Sequence, residues 1–140
     1  MPAACECRRV DEPRLGRPLP RAEQARIDPA KLLRYVLDPD SVQGRGKAAV
    51  FESVLGIRKR DWRYLSARIL EALPAYPVSS VRPADGEKVA TFGVHIPVKG
   101  LRGRDAFVIT AWRIVDGTPE LTSARVAKRR WQAKEGGSTL

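Results

Sequence analysis

Residues 28–57 read DPAKLLRYVLDPDSVQGRGKAAVFESVLGI, and each part of this stretch has a local physical meaning. Asp28 can cap a helix, and Pro29 falls at the first helical position, where a missing N–H costs nothing. Leu32, Leu33, Val36 and Leu37 form an apolar stripe at helical spacing, with Tyr35 at its edge. Asp38-Pro39 stops the helix, because a residue before proline is pushed out of the helical region. A glycine-rich basic turn follows, with Gly44, Arg45, Gly46 and Lys47. A second helix then carries Ala48, Phe51, Val54 and Leu55, and Gly56 ends it as a left-handed cap. The turn puts Arg45 and Lys47 at a helix N-terminus, a favourable place for an anion.

Downstream, Arg58-Lys59-Arg60 is a basic link and Asp61 caps a third helix, from about Trp62 to Leu73. Trp62, Leu65, Ile69, Ala72 and Leu73 face inward, and Pro74 ends the helix. Residues 75–85, with Pro77 and Pro83, read as a loop or a short irregular edge strand. From Glu87 the apolar period changes to 2. Ala90, Phe92, Val94 and Ile96 share one face, and Val89, Thr91, Gly93 and His95 the other. Residues 100–104 form a turn. Residues 105–115 are the strongest strand, apolar on both faces and therefore interior to the sheet. Asp116-Gly117 is a hairpin turn, and ELTSARV, residues 120–126, is the last strand.

Helices first and a meander afterwards predict an α+β fold: three N-terminal helices packed on a three- or four-stranded antiparallel β-meander. The expected organisation is a flexible Arg/Pro-rich extension over residues 1–26, a single domain over 27–127 and a basic flexible tail over 128–140. A short helical turn is expected near Ala22–Arg26.

The chain has 140 residues and a net charge of +10, which attracts nucleic acid or anionic surfaces. The charge is spread: +2 over residues 1–26, +5 over 27–126 and +3 over 127–140. Arginine exceeds lysine heavily, as codon bias alone would also produce. No apolar run approaches the roughly 18–20 residues of a membrane span, and no secretory signal is legible. A cytoplasmic location with no membrane partner is the expectation. Cys5 and Cys7 form a lone C-x-C, and the one histidine is far off at His95, so two free thiols are expected rather than a metal site.

P-loop, dinucleotide fingerprint and nucleophile elbow are all missing from the sequence, and no cofactor is expected. Basic and hydroxyl groups suited to a phosphodiester remain. Metal-free RNA cleavage needs a proton acceptor, a proton donor and cations for the phosphorane. His95 is the side chain that titrates near neutrality. Arg45, Lys47, Arg113 and Arg125 could supply cations, and Thr122 or Ser123 a hydroxyl donor. Strict alternation lets only one of Thr122 and Ser123 face a cleft, with Arg125 on the Ser123 side. Arg58, Lys59, Arg60 and Arg63 could form a phosphate track with salt-dependent binding, and Trp131 beside Arg129-Arg130 could stack on a base. Each also has an ordinary reading: a strand histidine, a solvated turn, a sheet-filling hydroxyl, a solvated helix entrance.

KLLRYVLD, GRGKAAVFESVLGI, DWRYLSARIL and ELTSARV together resemble a small family of bacterial single-domain proteins carrying a domain of unknown function. Its pattern is Lys-Leu…Tyr-x-Leu, Gly-x-x-Lys-Ala-x-x-Phe, Leu-Gly-Ile and Leu-x-Thr/Ser-Ala, and the match covers roughly residues 28–127. The order of its elements is similar to the barnase–EndoU–colicin–RelE class of toxin ribonucleases, whose modules end polymorphic toxins or sit beside a small antitoxin-like protein. The resemblance implies roles for Lys31, Lys47 and Thr122. It also implies a histidine just before the glycine turn, where this chain has Ser41-Val42-Gln43 instead.

The leading expectation is a metal-independent ribonuclease-like, toxin-type domain acting on RNA. In it Lys47, His95, Thr122 and Ser123 are catalytic, and Arg45, Lys31 and Arg125 bind phosphate. The alternative is a non-catalytic domain that binds nucleic acid or a small antitoxin-like protein through a basic surface. A purely structural partner of a second protein is the third reading.

Overall fold

The computed structural model describes residues 13–40 and 45–127, with backbone only at Arg45. Three helices precede four strands. Helix α1 covers residues 29–36, α2 covers 45–55 and α3 is Trp62–Ala72. The strands are β1 (Val78–Arg82), β2 (Thr91–Lys99), β3 (Asp105–Val115) and β4 (Thr118–Val126). They form one sheet in the order β1-β2-β3-β4, antiparallel throughout. The fold is α+β, and the sheet has four strands rather than three.

Asp28 accepts the Ala30 N–H at 3.0 Å, as a cap should. The α-winding of α1 gives way to a π-turn over Leu32–Val36, closed by Leu37 N–H donating to the Leu32 carbonyl. A π-turn stacks residues five apart, so Leu32, Val36 and Leu37 are all buried. Helix α2 ends in a similar π-turn, Phe51–Leu55, capped by Gly56 at φ 67°. Gly56 and Ile57 donate back to Glu52 and Phe51, which satisfies the terminal carbonyls.

Several local expectations are corrected. Arg45, Gly46 and Lys47 belong to the first turn of α2, not to the loop before it; residues 41–44 lie outside the described residues. Asp61 does not cap α3 directly. Its carboxylate accepts the Arg58 N–H at 3.0 Å, closing the Lys59–Asp61 3₁₀ turn that leads into the helix. The helix ends at Ala72, just ahead of Pro74 as expected, and the chain winds on through a 3₁₀ turn, Leu73–Ala75, with Pro74 at its second position. Asp116 and Gly117 have φ of 52° and 80°, as a two-residue type I′ hairpin requires. That tight turn starts β4 at Thr118, two residues earlier than the sequence suggests.

The core lies between the helices and one face of the sheet. Val94, Ile96, Val98, Val108, Trp112, Leu121, Ala124 and Val126 meet Leu32, Phe51, Leu55, Leu65 and Ile69 there. Each such side chain contributes roughly 1.5–3 kcal/mol on burial. One polar residue, Thr110, is buried among them. Its hydroxyl donates to the Val94 carbonyl at 2.9 Å and accepts from Trp112 Nε1 at 2.7 Å, so no polar atom of the pair is stranded.

Residues 13–26, expected within a flexible extension, instead form a strap. Gly16 N–H donates to the Val78 carbonyl, and Val78 N–H returns a bond to Arg17. At the far edge of the sheet, Arg26 N–H donates to Pro119, and Leu121 N–H donates to Arg26. Between these anchors, Leu19 and Ala22 are buried in the core, and Ala22–Gln24 makes the short helical turn. The apolar residues embedded among the arginines outweigh the disorder that proline and charge suggest. Residues 1–12 and 128–140, with Cys5, Cys7, Arg129, Arg130 and Trp131, lie outside the described residues.

Candidate functional site

Alternation along β2 and β3 sends Thr91, Gly93 and His95, with Ile109 and Ala111, to the face opposite the helices. No described helix packs on this open face. The outer strands add to it through two irregularities. The β1–β2 register shifts between Val78 and Ser80, making Ser79 an extra residue; the β3–β4 register shifts so that Thr122 is extra. An extra residue bends the strand and re-aims side chains. Thr122 and Ser123 consequently both line the same groove, correcting the expectation that only one could.

Register defines rows across this face. Ser80, Gly93, Ala111 and Ser123 are consecutive partners in one row; His95, Ile109 and Arg125 form the next; Arg82 pairs with Thr91 on the other side. Small residues in the middle row leave a groove of about 240 Å³. Its polar side chains are the hydroxyls of Ser80, Thr91, Thr122 and Ser123 and the guanidinium groups of Arg82 and Arg125. No carboxylate lines it, and neither arginine has an ion-pair partner among the described residues. Thr122 donates to the Ala111 carbonyl at 3.1 Å, which fixes its hydroxyl at the wall.

His95 lies beside the groove. Its Nδ1 is 2.7 Å from the Ser79 hydroxyl, which also donates to the Gly93 carbonyl at 3.2 Å. The Ser79 hydroxyl thereby holds the imidazole ring in place on the sheet face.

The structure therefore gathers His95, Thr122, Ser123 and Arg125 on one face, and it separates them from the other expected site residues. Lys31 and Lys47 belong to α1 and α2, which pack on the opposite face. Lys31 Nζ lies 5.4 Å from the centre of the Tyr35 ring. Arg45 starts the same helix as Lys47. Lys31 and Lys47 thus rise from the helix layer, and His95 from the face of the sheet turned away from it. Arg113 is on the open face but pairs with Glu120 at 3.0 Å.

The expected phosphate track near α3 is also neutralised in part. Arg58 pairs with Glu52 at 3.2 Å and Lys59 with Asp38 at 3.9 Å, while Arg63 lies over Trp62. These pairs line a second hollow of about 440 Å³ between α1 and α2, where Asp40 adds a third carboxylate. Its charges answer one another and leave little to recruit an anion. Ser79, Ser80 and Arg82 were missed in the sequence because β1 reads as a loop or an irregular edge strand, whereas Thr91 was placed on the His95 face without a role. The consecutive hydroxyls Ser79-Ser80, mirrored by Thr122-Ser123, are the signal that could have found them.

No described helix is long and apolar enough to cross a membrane. Neither the curated proteins nor the solved structures contain a match to the chain. A domain of unknown function, DUF6883, matches residues 18–128, a span that takes in the inner part of the strap, all three helices and all four strands. The chain belongs to the DUF6883 family.

Proposed function

We propose that the open face of the sheet binds RNA. The observation that carries this reading is the groove itself: two arginines at its margins without carboxylate partners among the described residues, and four hydroxyls between them. Such a surface offers charge-assisted hydrogen bonds to phosphate and neutral ones to sugar or base. The net charge of +10 favours a polyanion over a single small anion. Anisotropy of a labelled single-stranded RNA, titrated across salt concentrations, tests the proposal. Binding should weaken steeply with salt and fall about tenfold in Arg82→Ala and Arg125→Ala. Binding indifferent to both substitutions would sink it.

One observation favours a second reading, metal-independent cleavage of the bound RNA. His95 shares the face with Ser123 and Arg125, and Ser79 orients its ring. In this reading His95 takes the proton of the attacking 2′-hydroxyl, Arg125 and Ser123 meet the phosphorane, and the bond to the 5′-oxygen breaks as that oxygen takes a proton from water, leaving a 2′,3′-cyclic phosphate. Lys47, in the helix layer behind the sheet, has no part in it. Incubating wild type and His95→Ala with total RNA under chelation decides between the readings. Products lost in the variant favour the enzyme; intact RNA with salt-sensitive binding favours the binding domain. A small antitoxin-like protein remains the alternative partner for this surface, and its occupancy would show as competition with RNA.

A further inference from the structure

We infer that the groove takes one unstacked nucleotide of a single strand, with its base on the Ala111 floor beside Ser80 and its neighbouring phosphates at Arg82 and Arg125. This rests on the RNA-binding reading and names which form of RNA the site accepts.

The floor comes first. Ser80, Gly93, Ala111 and Ser123 make the lowest row of the open face, since two of the four carry a methyl group or less. The rows beside it carry Thr91 and Arg82 on one bank and His95, Ile109 and Arg125 on the other. The depression therefore crosses the strands, over about three strand spacings or ~14 Å. Ala111 offers an apolar surface with Ile109 at its margin, on which a planar ring can rest, and the Ser80 hydroxyl, lying over Gly93, closes the floor beside it. The hydroxyls of Ser80 and Ser123 at the ends, and of Thr91 at the side, can each donate or accept, so they meet the edge of any base or a ribose 2′-hydroxyl.

The volume argues for one unit of a chain. At about 240 Å³ the groove is smaller than the roughly 300–1,000 Å³ of pockets that enclose a free small molecule. The arginines argue for what lies on either side. Arg82 and Arg125 are on opposite edge strands, and each is two residues from the floor row, in opposite directions. Strand spacing puts their Cα atoms roughly 20 Å apart, on a diagonal across the groove. Leaning inward over the groove, the two long side chains close most of that distance and can meet two successive phosphates, one before and one after the seated nucleoside. A duplex presents phosphates outward and keeps its bases stacked inside, so it cannot reach the floor.

The test uses the full chain and labelled RNA of one sequence in four forms: single strand, duplex, trinucleotide and mononucleotide. The single strand should bind at least about tenfold more tightly than the duplex, with the trinucleotide retaining most of that affinity and the mononucleotide losing it. Ala111→Leu raises the floor without touching either arginine and should cost the single strand about tenfold. Thr91→Leu narrows the groove from β2 and replaces it if Ala111→Leu does not fold. Equal binding of duplex and single strand, both weakened by Arg125→Ala, would overturn this inference and leave the RNA-binding proposal standing. No binding of any form would overturn both.

Discussion

Ser80 closes over Gly93, its hydroxyl occupying the space that a β-carbon at residue 93 would take. The obstructing atom is the far end of a flexible side chain, so a methyl group there can be accommodated by rotating Ser80. Alanine also regains about 0.5–1 kcal/mol relative to glycine within a strand. Gly93→Ala should therefore fold with an almost unchanged thermal midpoint while its RNA affinity falls a few-fold. An unchanged affinity in anisotropy titrations would show that the floor of the groove is not a contact surface.

Gly100 makes the opposite case. A β-carbon there would overlap the Arg104 carbonyl and press on the Leu55 backbone, neither of which can rotate away. The turn is fixed on both sides, by Gly100 N–H to Arg104 and Leu101 N–H to Leu55, each at 2.8 Å. Gly100→Ala should destabilise the fold by about 1–3 kcal/mol in urea unfolding, as overpacking does elsewhere. A midpoint equal to wild type would mean that the turn is softer than this geometry implies.

Arg125→Ala and Lys47→Ala should separate cleanly. Arg125 lines the groove and lacks a carboxylate partner among the described residues, whereas Lys47 belongs to the helix layer behind the sheet. Loss of Arg125 should reduce the slope of log affinity against log salt by about 1. Lys47→Ala should leave both slope and affinity near wild type. The reverse pattern would move the binding surface to the helices.

Thr110 and Trp112 carry a stability prediction independent of function. Thr110→Val keeps the shape but strips the indole N–H of its acceptor and the Val94 carbonyl of a donor. An unpaired buried polar group costs about 1–3 kcal/mol. Equilibrium unfolding followed by Trp fluorescence should show a loss in that range, and a neutral result would imply that water reaches the indole.

Leu19 tests the strap. The side chain is 3% exposed and lies in the core although its neighbours are arginine and proline. Leu19→Ala should cost about 2–5 kcal/mol, the range for truncating a buried leucine. A surface-like effect below that range would mean that the strap rests on the fold without contributing to it.

Fold and site were legible in the sequence to different degrees. The Asp28 cap, the Gly56 terminator, the Asp116-Gly117 hairpin and the change of period near Glu87 each rest on local chemistry, and local chemistry is what a sequence displays. The strap was missed because its evidence is two apolar residues, Leu19 and Ala22, whose burial depends on surfaces made elsewhere. Ser79 and Thr122 were placed wrongly or not at all because a register shift depends on the partner strand. Parity paired Ser123 with Arg125 and set His95 on the face opposite Val94, but their common face came from the register of β2, β3 and β4. The exclusion of Lys31 and Lys47 did not follow from parity either, since helix placement relative to a sheet face is a tertiary fact.

The strap has a consequence for the order in which the molecule can be made. Its outer anchors are at Val78 and at Pro119–Leu121, each just ahead of the register shift that shapes one wall of the groove. Arg26 leaves the ribosome about 95 residues before Leu121 does. Loop closure over that distance precedes any reward from the contact, and such non-local pairings slow folding. The groove is accordingly among the last parts of the chain to acquire its shape, and a nascent chain halted before β4 has one wall and no opposite bank.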